Sequence, residues 1–421
     1  MSESAAASSS PRDHASRRRK LSPWLFQVVN FCFWTALYFY VPILPVYAEL
    51  NGASLTVIGV MLSAYGIMQF LLRIPVGVGS DLLGRRRPFV TAGLVASGLG
   101  ALGFVWMPSP LGLIFARALT GVGACAWVVI TVMYAGYFEP ARVTRAVALL
   151  AITNGLGQAL ATFIGGAAAQ SWGWHAPFYL SAGASVVGIV VVGLCVEAGT
   201  RQAAAPVTWR RLVAVGTQPQ LLLVAGLAAV NTYVQFTTIY GFTPVFAANE
   251  LGANRADLGL LAALSVLSLM AAQFLAPTIV SRFGFRGPTT ASFLLNAAMT
   301  AVIPLVPALA LGVGLKATAA LPVLMLTQSI AGLARGVLQT SLMSQSILAV
   351  PSEERATAMG VFQAVYASGM LLGPLIGGGL ADAVGLDALF WLAGLLSILG
   401  AVVVVRTAMP GTSAQASATP A

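Results

Sequence analysis

Runs of about 20 apolar residues, the length that crosses a bilayer's hydrocarbon core as helix, recur along the whole of this 421-residue chain. Twelve fit: 23–48, 54–76, 88–107, 111–133, 146–168, 177–196, 219–247, 256–280, 289–310, 320–346, 356–380 and 388–405. Lipid offers no water to backbone amides, so each run must satisfy its own N–H and C=O groups. A helix does that and an open strand does not. Composition excludes a soluble core, because 58% of the residues are hydrophobic and only 8% are charged, against roughly 25% charged in ordinary soluble domains. The expectation is an all-α polytopic membrane protein.

The loops orient it. With both termini in the cytoplasm, 17 of the 22 basic residues fall on the cytoplasmic side. The outer loops keep only Arg255 and Lys316, and Arg73, Arg117 and Arg335 lie within spans. This is the positive-inside pattern, so the net charge of +10 is a topology signal and nucleic acid is not an expected partner. Residues 1–20 read as a disordered cytoplasmic tail whose basic end, Arg17 to Lys20, rests on anionic lipid. Residues 407–421 read as a second cytoplasmic tail.

The stretch Gly77–Arg87 combines a carboxylate, a turn glycine and three arginines. A degraded copy follows at 277–287, placing Gly84 on Gly284 and Arg86 on Arg286. Gly59 matches Gly259 at the same offset of 200, while Gly157, Gly165 and Gly166 match Gly369, Gly377 and Gly378 at an offset of 212. The chain therefore reads as two pseudo-symmetric six-helix bundles, 21–197 and 219–406, joined by a polar cytoplasmic linker, 198–218. Such a repeat puts a solute path at the midplane between its halves.

These residues resemble the major facilitator superfamily and, within it, the drug:proton antiporter-like exporters, over roughly residues 21–406. The loop pattern G-x-x-x-D-x-x-G-[RK]-[RK] stands at Gly77, Asp81, Gly84, Arg85 and Arg86, although Leu82 replaces the family's usual basic residue and Gly79 its usual leucine. The span-four pattern R-x-x-x-G stands at Arg117 and Gly121. Pro42-Ile43-Leu44-Pro45 resembles the exporters' span-one ending. The antiporter pattern G-x-x-x-G-P-x-x-G-G stands in span eleven, at Gly369, Gly373, Pro374, Gly377 and Gly378, whereas the family carries it in span five. The resemblance implies a monomeric inner-membrane exporter of small molecules, exchanging them for protons by rocking of the bundles, with no cofactor. It also implies a cytoplasmic gate in which Asp81 faces the N-terminal end of span eleven near Ala356, braced by the arginines.

Other polar residues lie on helical faces. Asn30, Trp34 and Tyr38 follow i, i+4, i+8 on span one, and Asn231, Gln235 and Thr238 follow one helical face on span seven. Trp127, Tyr233, Tyr240, Gln363 and Tyr366 join them as candidates for an amphipathic cavity. Arg117 either binds an anionic group, biases proton release, or ties structurally to polar groups of span one. Arg335, with Gln328 and Gln339, marks a polar stripe on span ten. Arg73, near the inner end of span two, is expected to snorkel to the headgroups. All 12 carboxylates fall in tails, loops or span ends, so proton coupling has no mid-membrane acid to use. That absence, with Arg117 and Arg335, leaves a second reading open: export of an endogenous anionic metabolite such as a metal chelator. Cys32, Cys125 and Cys195 lie in apolar runs without metal-ligand spacing. No phosphate loop and no nucleophile–base set occurs, which points away from an enzyme.

Overall fold

The computed structural model describes residues 11–139, 142–197, 214–312, 314, 316–348, 350–351 and 354–407. Helix is the only regular structure among the described residues. The units are α1 (Pro11–Tyr38, resumed by the short helix Leu44–Leu50), α2 (Leu55–Leu82), α3 (Arg87–Trp106), α4 (Pro110–Ala135), α5 (Val143–Trp172) and α6 (Ala176–Leu194). A second six follow: α7 (Pro219–Leu251), α8 (Arg255–Phe283), α9 (Arg286–Gly312), α10 (Leu321–Leu348), α11 (Arg355–Val384) and α12 (Leu386–Arg406). From α2 onward, 11 helices are long and apolar enough to cross a membrane. Gln27 and Asn30 dilute α1, which nonetheless packs with Phe26, Phe33 and Leu37 fully buried.

Three details differ from the sequence expectation. Helix α1 begins at Pro11, inside the stretch expected to be disordered; proline suits a first helical position, and the Ala, Arg and Lys that follow are good helix formers. The first span is also broken, with turns over 39–43, because Pro42 and Pro45 cannot donate to the helical ladder. Helix α7 is longer than expected and passes through a π-helical turn, Thr238–Phe242, just before Pro244. Residues 1–10, 198–213 and 408–421, which carry much of the expected tails and linker, lie outside the described residues.

The duplication is visible in three dimensions. The breaks in α1 and α7 fall 200 residues apart, and the two arginine-bearing loops turn on left-handed glycines, Gly84 (φ +60) and Gly284 (φ +73). Such φ values cost a residue with a Cβ about 1–2 kcal/mol, which explains why glycine survives in the degraded copy.

The ends bearing these loops form an arginine face; the opposite ends form the far face. Across the bundle interface, α2 crosses α11 and α5 crosses α8, in each case backbone on backbone near the far face. A Cβ on Gly378 would sit 3.0 Å from the Gly59 Cα, and one on Gly259 would sit 2.7 Å from the Gly166 Cα. The same operator thus generates both crossings, as the 200 and 212 offsets imply. Polar ties reinforce them. The Asp382 carboxylate accepts from the Leu55 and Thr56 N–H groups at 3.1 and 2.7 Å, capping α2 from the other bundle. Arg255 donates to the Ala169 carbonyl at the end of α5 (2.7 Å) and lies over the Trp174 ring (4.8 Å). A carboxylate at a helix N-terminus and a cation at a C-terminus both oppose the helix dipole favourably.

Gly166→Leu is therefore expected to pry α5 from α8 and disfavour far-face closure by about 1–3 kcal/mol. Spin labels at Leu50→Cys and Glu250→Cys, equivalent exposed positions on the far face, should report a longer and broader distance in that variant than in the parent.

Candidate functional site

Between the crossings lies a cavity of about 320 Å³ walled by both bundles. Its aromatic wall includes Trp34, Tyr38, Trp127, Phe236 and Tyr240. Trp34 and Trp127 meet edge to face at 5.1 Å, and Tyr38 meets Tyr240 of the other bundle at 5.9 Å. Amide side chains interrupt this wall. Gln69, Asn154 and Gln158 come from the first bundle, and Asn231, Gln235, Gln273, Gln339 and Gln363 from the second. Asn231 Oδ1 and Trp34 Nε1 are buried without a partner. Unpaired buried polar atoms are costly, so a solute that satisfies them is favoured. No carboxylate lines the cavity among the described residues, and its one charged group is Arg73.

Nine expected residues reach this wall: Trp34, Tyr38, Trp127, Asn231, Gln235, Tyr240, Gln339, Gln363 and Tyr366. Six expected residues do not line it: the Tyr233 backbone packs on Gly369 and Gly373 of α11, the Thr238 hydroxyl donates to the Val234 carbonyl at 2.7 Å, and four others lie behind the wall. Asn30 donates to the Leu150 carbonyl at 3.0 Å, tying α1 to α5. Arg117 is buried with its guanidinium 4.2 Å from the Tyr65 ring centre and 6.0 Å from that of Tyr40, held by cation–π attraction. One turn on, Gly121 packs on the Tyr65 backbone, so the span-four pattern marks the seat of α4 on α2. Arg335, also buried, donates to Gln328 at 3.0 Å.

Arg73 corrects the snorkelling expectation. It lines the cavity, and its Nη1 donates to the Tyr366 hydroxyl across the bundle interface at 3.4 Å. Sequence reasoning missed it along with Gln69, although Tyr65, Gln69 and Arg73 repeat the i, i+4, i+8 spacing already noticed on α1. Asn154 and Gln158 are likewise one turn apart and bonded to each other.

The residues expected to gate the arginine face are arranged within one bundle. Asp81 is exposed and pairs with Arg86 at 3.5 Å, the one ion pair among the described residues. It does not meet the start of α11 in this conformation. The named α2–α11 contacts run from Leu55–Asp382 to Arg73–Tyr366; beyond them Ile74, Val78 and Leu82 stand exposed. Arg85 is exposed. The N–H groups of Arg86 and Arg87 bond the Glu197 carboxylate, and the Arg87 guanidinium donates to the Gly193 carbonyl at 2.6 Å. Glu197, distant in sequence and in no local pattern, thus caps α3 and ties it to the end of α6. Gly77 faces Val128 of its own bundle. In α11 the antiporter glycines divide their work: Gly369, Gly373 and Gly377 pack on α7, whereas Gly378 and the Pro374 carbonyl meet Gly59 of α2.

Two helical bundles walling one cavity between them, built of helices long and apolar enough to cross a membrane, have the architecture of a membrane transporter. The sequence pattern of the Major Facilitator Superfamily matches residues 27–315 and 225–421, and the chain belongs to that family. It is 32% identical over 156 residues to the inner membrane transport protein YajR of Escherichia coli K12, a stretch covering 37% of this chain and 34% of that one. It is 28% identical over 155 residues to an uncharacterized MFS-type transporter of Methanocaldococcus jannaschii, covering 36% and 39%. The aligned stretches span a little over a third of these relatives' lengths. Among solved structures, a mutant of the nucleoside transporter NupG superposes with TM-score 0.76 at 14% identity, over 92% of this chain and 99% of that one. The human organic anion transporter MFSD10 superposes with TM-score 0.62 at 18% identity, over 92% and 99%. At these identities the likeness is one of fold.

Removing the α3 cap with Glu197→Ala is expected to destabilise the first bundle by about 1 kcal/mol, read as a lower melting temperature of the purified protein. An unchanged melting temperature would show that the cap contributes nothing to stability.

Proposed function

We propose that this protein is a monomeric secondary transporter of the bacterial inner membrane that exports amphipathic small molecules with aromatic bodies. The observation that carries the proposal is the cavity walled jointly by aromatic rings and amides of both bundles. Rings supply apolar area, and the amides fix a polar edge without demanding a charge. The arginine face is cytoplasmic on the positive-inside argument, and with the glycine crossings and polar ties gathered near the far face this conformation loads from the cytoplasm. Rocking about the glycine crossings then closes the arginine face, where Asp81, Arg85 and Arg86 would engage the start of α11. Relatives whose names specify nucleosides or organic anions support a small organic solute with ring and polar parts.

A second reading, export of an endogenous anionic metabolite such as a metal chelator, is favoured by one observation: the cavity has a cation and no carboxylate among its lining residues. The same fact limits proton exchange, since a coupled cycle would have to use acids at the gates, Asp81 on one face and Glu49 or Asp382 on the other.

Expression in an efflux-deficient host is expected to raise tolerance to several unrelated amphipathic aromatic compounds, and flux of the same compounds should appear in proteoliposomes. A change confined to one metabolite favours the second reading, and absence of flux for every compound defeats the transport proposal. Asp81→Asn should insert normally yet lower flux by roughly tenfold or more, the scale of losing a charged gate contact of about 1.5–3 kcal/mol. Parental flux in that variant would remove Asp81 from the gate.

A further inference from the structure

Among the described residues, no carboxylate pairs with the Arg73 guanidinium. Its Nε is buried without a partner, and its Nη1 makes a single long contact to the Tyr366 hydroxyl. A guanidinium has five N–H donors, so most of its capacity is unused. A cation at membrane depth is costly unless it faces a partner or a cavity. The two other embedded arginines also keep buried nitrogens without partners, Arg117 Nε and Nη1 and Arg335 Nε, but Arg117 lies among tyrosine rings and Arg335 on Gln328, and neither lines the cavity. Arg73 alone borders the cavity.

The surroundings favour one kind of partner. The neighbouring lining groups, Gln69 one turn before it and Gln363 and Tyr366 on α11, are neutral hydrogen-bonding side chains. Tyr65, which also lines the cavity, is backed by the Arg117 guanidinium, and this second positive charge adds to the potential without occupying the site. Resting on the central-cavity reading above, we infer that Arg73 is a substrate-binding residue forming an anion subsite with Tyr366. The site takes a carboxylate, sulfonate or phosphate group whose aromatic body lies among Trp34, Trp127 and Tyr240. A planar anion matches the guanidinium fork bidentately, which the tyrosine hydroxyl does not. The subsite also sits on the α2–α11 seam, so a bound anion competes with the Arg73–Tyr366 contact between the bundles. Loading the cavity and loosening its seam on the arginine-face side are then one event.

The test uses the full chain in phosphatidylcholine nanodiscs, so that no anionic headgroup competes. Three probes share one ring system: naphthalene-2-carboxylate, the neutral naphthalene-2-carboxamide and 2-naphthylmethylammonium. Wild type is expected to bind the carboxylate at least about tenfold tighter than the carboxamide, with the ammonium weakest. Arg73→Gln should bring carboxylate and carboxamide within about twofold of each other while leaving carboxamide affinity in place. Arg73→Lys should keep part of the preference, and Tyr366→Phe most of it. Equal affinity of wild type for carboxylate and carboxamide overturns the subsite, as does a preference that survives Arg73→Gln. Neither result touches the central cavity if Trp34→Ala weakens both probes. Failure of wild type to bind any of the three removes the aromatic cavity, and the subsite falls with it. The wild-type comparison stands without any variant, so a poorly folding substitution leaves the inference exposed.

Discussion

Backbone against backbone, Gly59 on Gly378 and Gly259 on Gly166, the two bundles meet where no side chain separates them. In lipid there is no hydrophobic drive to bring helices together, so association depends on close van der Waals contact and on polar ties. The small residues supply the contact; Asp382 and Arg255 supply the ties. The cavity lies between these same two bundles, walled by side chains of both. The glycine contacts interlock no side chains.

The walls of that cavity are polar without being acidic. Amides bond either donors or acceptors, and aromatic rings offer broad flat contact, so recognition is spread over many modest interactions. A transporter gains from this distribution. A site that held its solute through one dominant contact would bind it tightly in every conformation and release it slowly, whereas several small contacts divided between two moving bodies weaken together when those bodies part.

Much of this was readable in the chain. Hydrophobic run length fixed the helix count, and the glycine offsets announced the duplication, because a helix crossing that excludes a Cβ must be kept in both copies. The residues of α1 and α7 that recur every fourth position, Trp34 and Tyr38, Asn231 and Gln235, do face the interior. What periodicity cannot say is which neighbour a face meets. Asn30 shares the stripe of Trp34, yet it meets α5 behind the wall. Arg117 and Arg73 were both embedded arginines on paper; one is packed between tyrosines and the other borders the cavity. Depth along the helix suggested the headgroups for Arg73, whereas its azimuth turns it inward. Glu197 was unreadable for a different reason, since its role depends on the end of α6 returning to the start of α3.

On the far face, Asn249 donates to the Glu49 carboxylate at 3.1 Å. The pair is separated by 200 positions, the period of the duplication, so corresponding residues of the two halves touch each other. A pseudo-dyad must therefore run between them. In an assembly of two identical subunits, whatever stands at that spot confronts its own copy, and a glutamate there would face a glutamate. Joining the halves in one polypeptide lifts that constraint: one side keeps the acid and the other carries an amide to meet it. The fused chain can place unlike partners on its own symmetry axis, a pairing that a homodimer is forbidden.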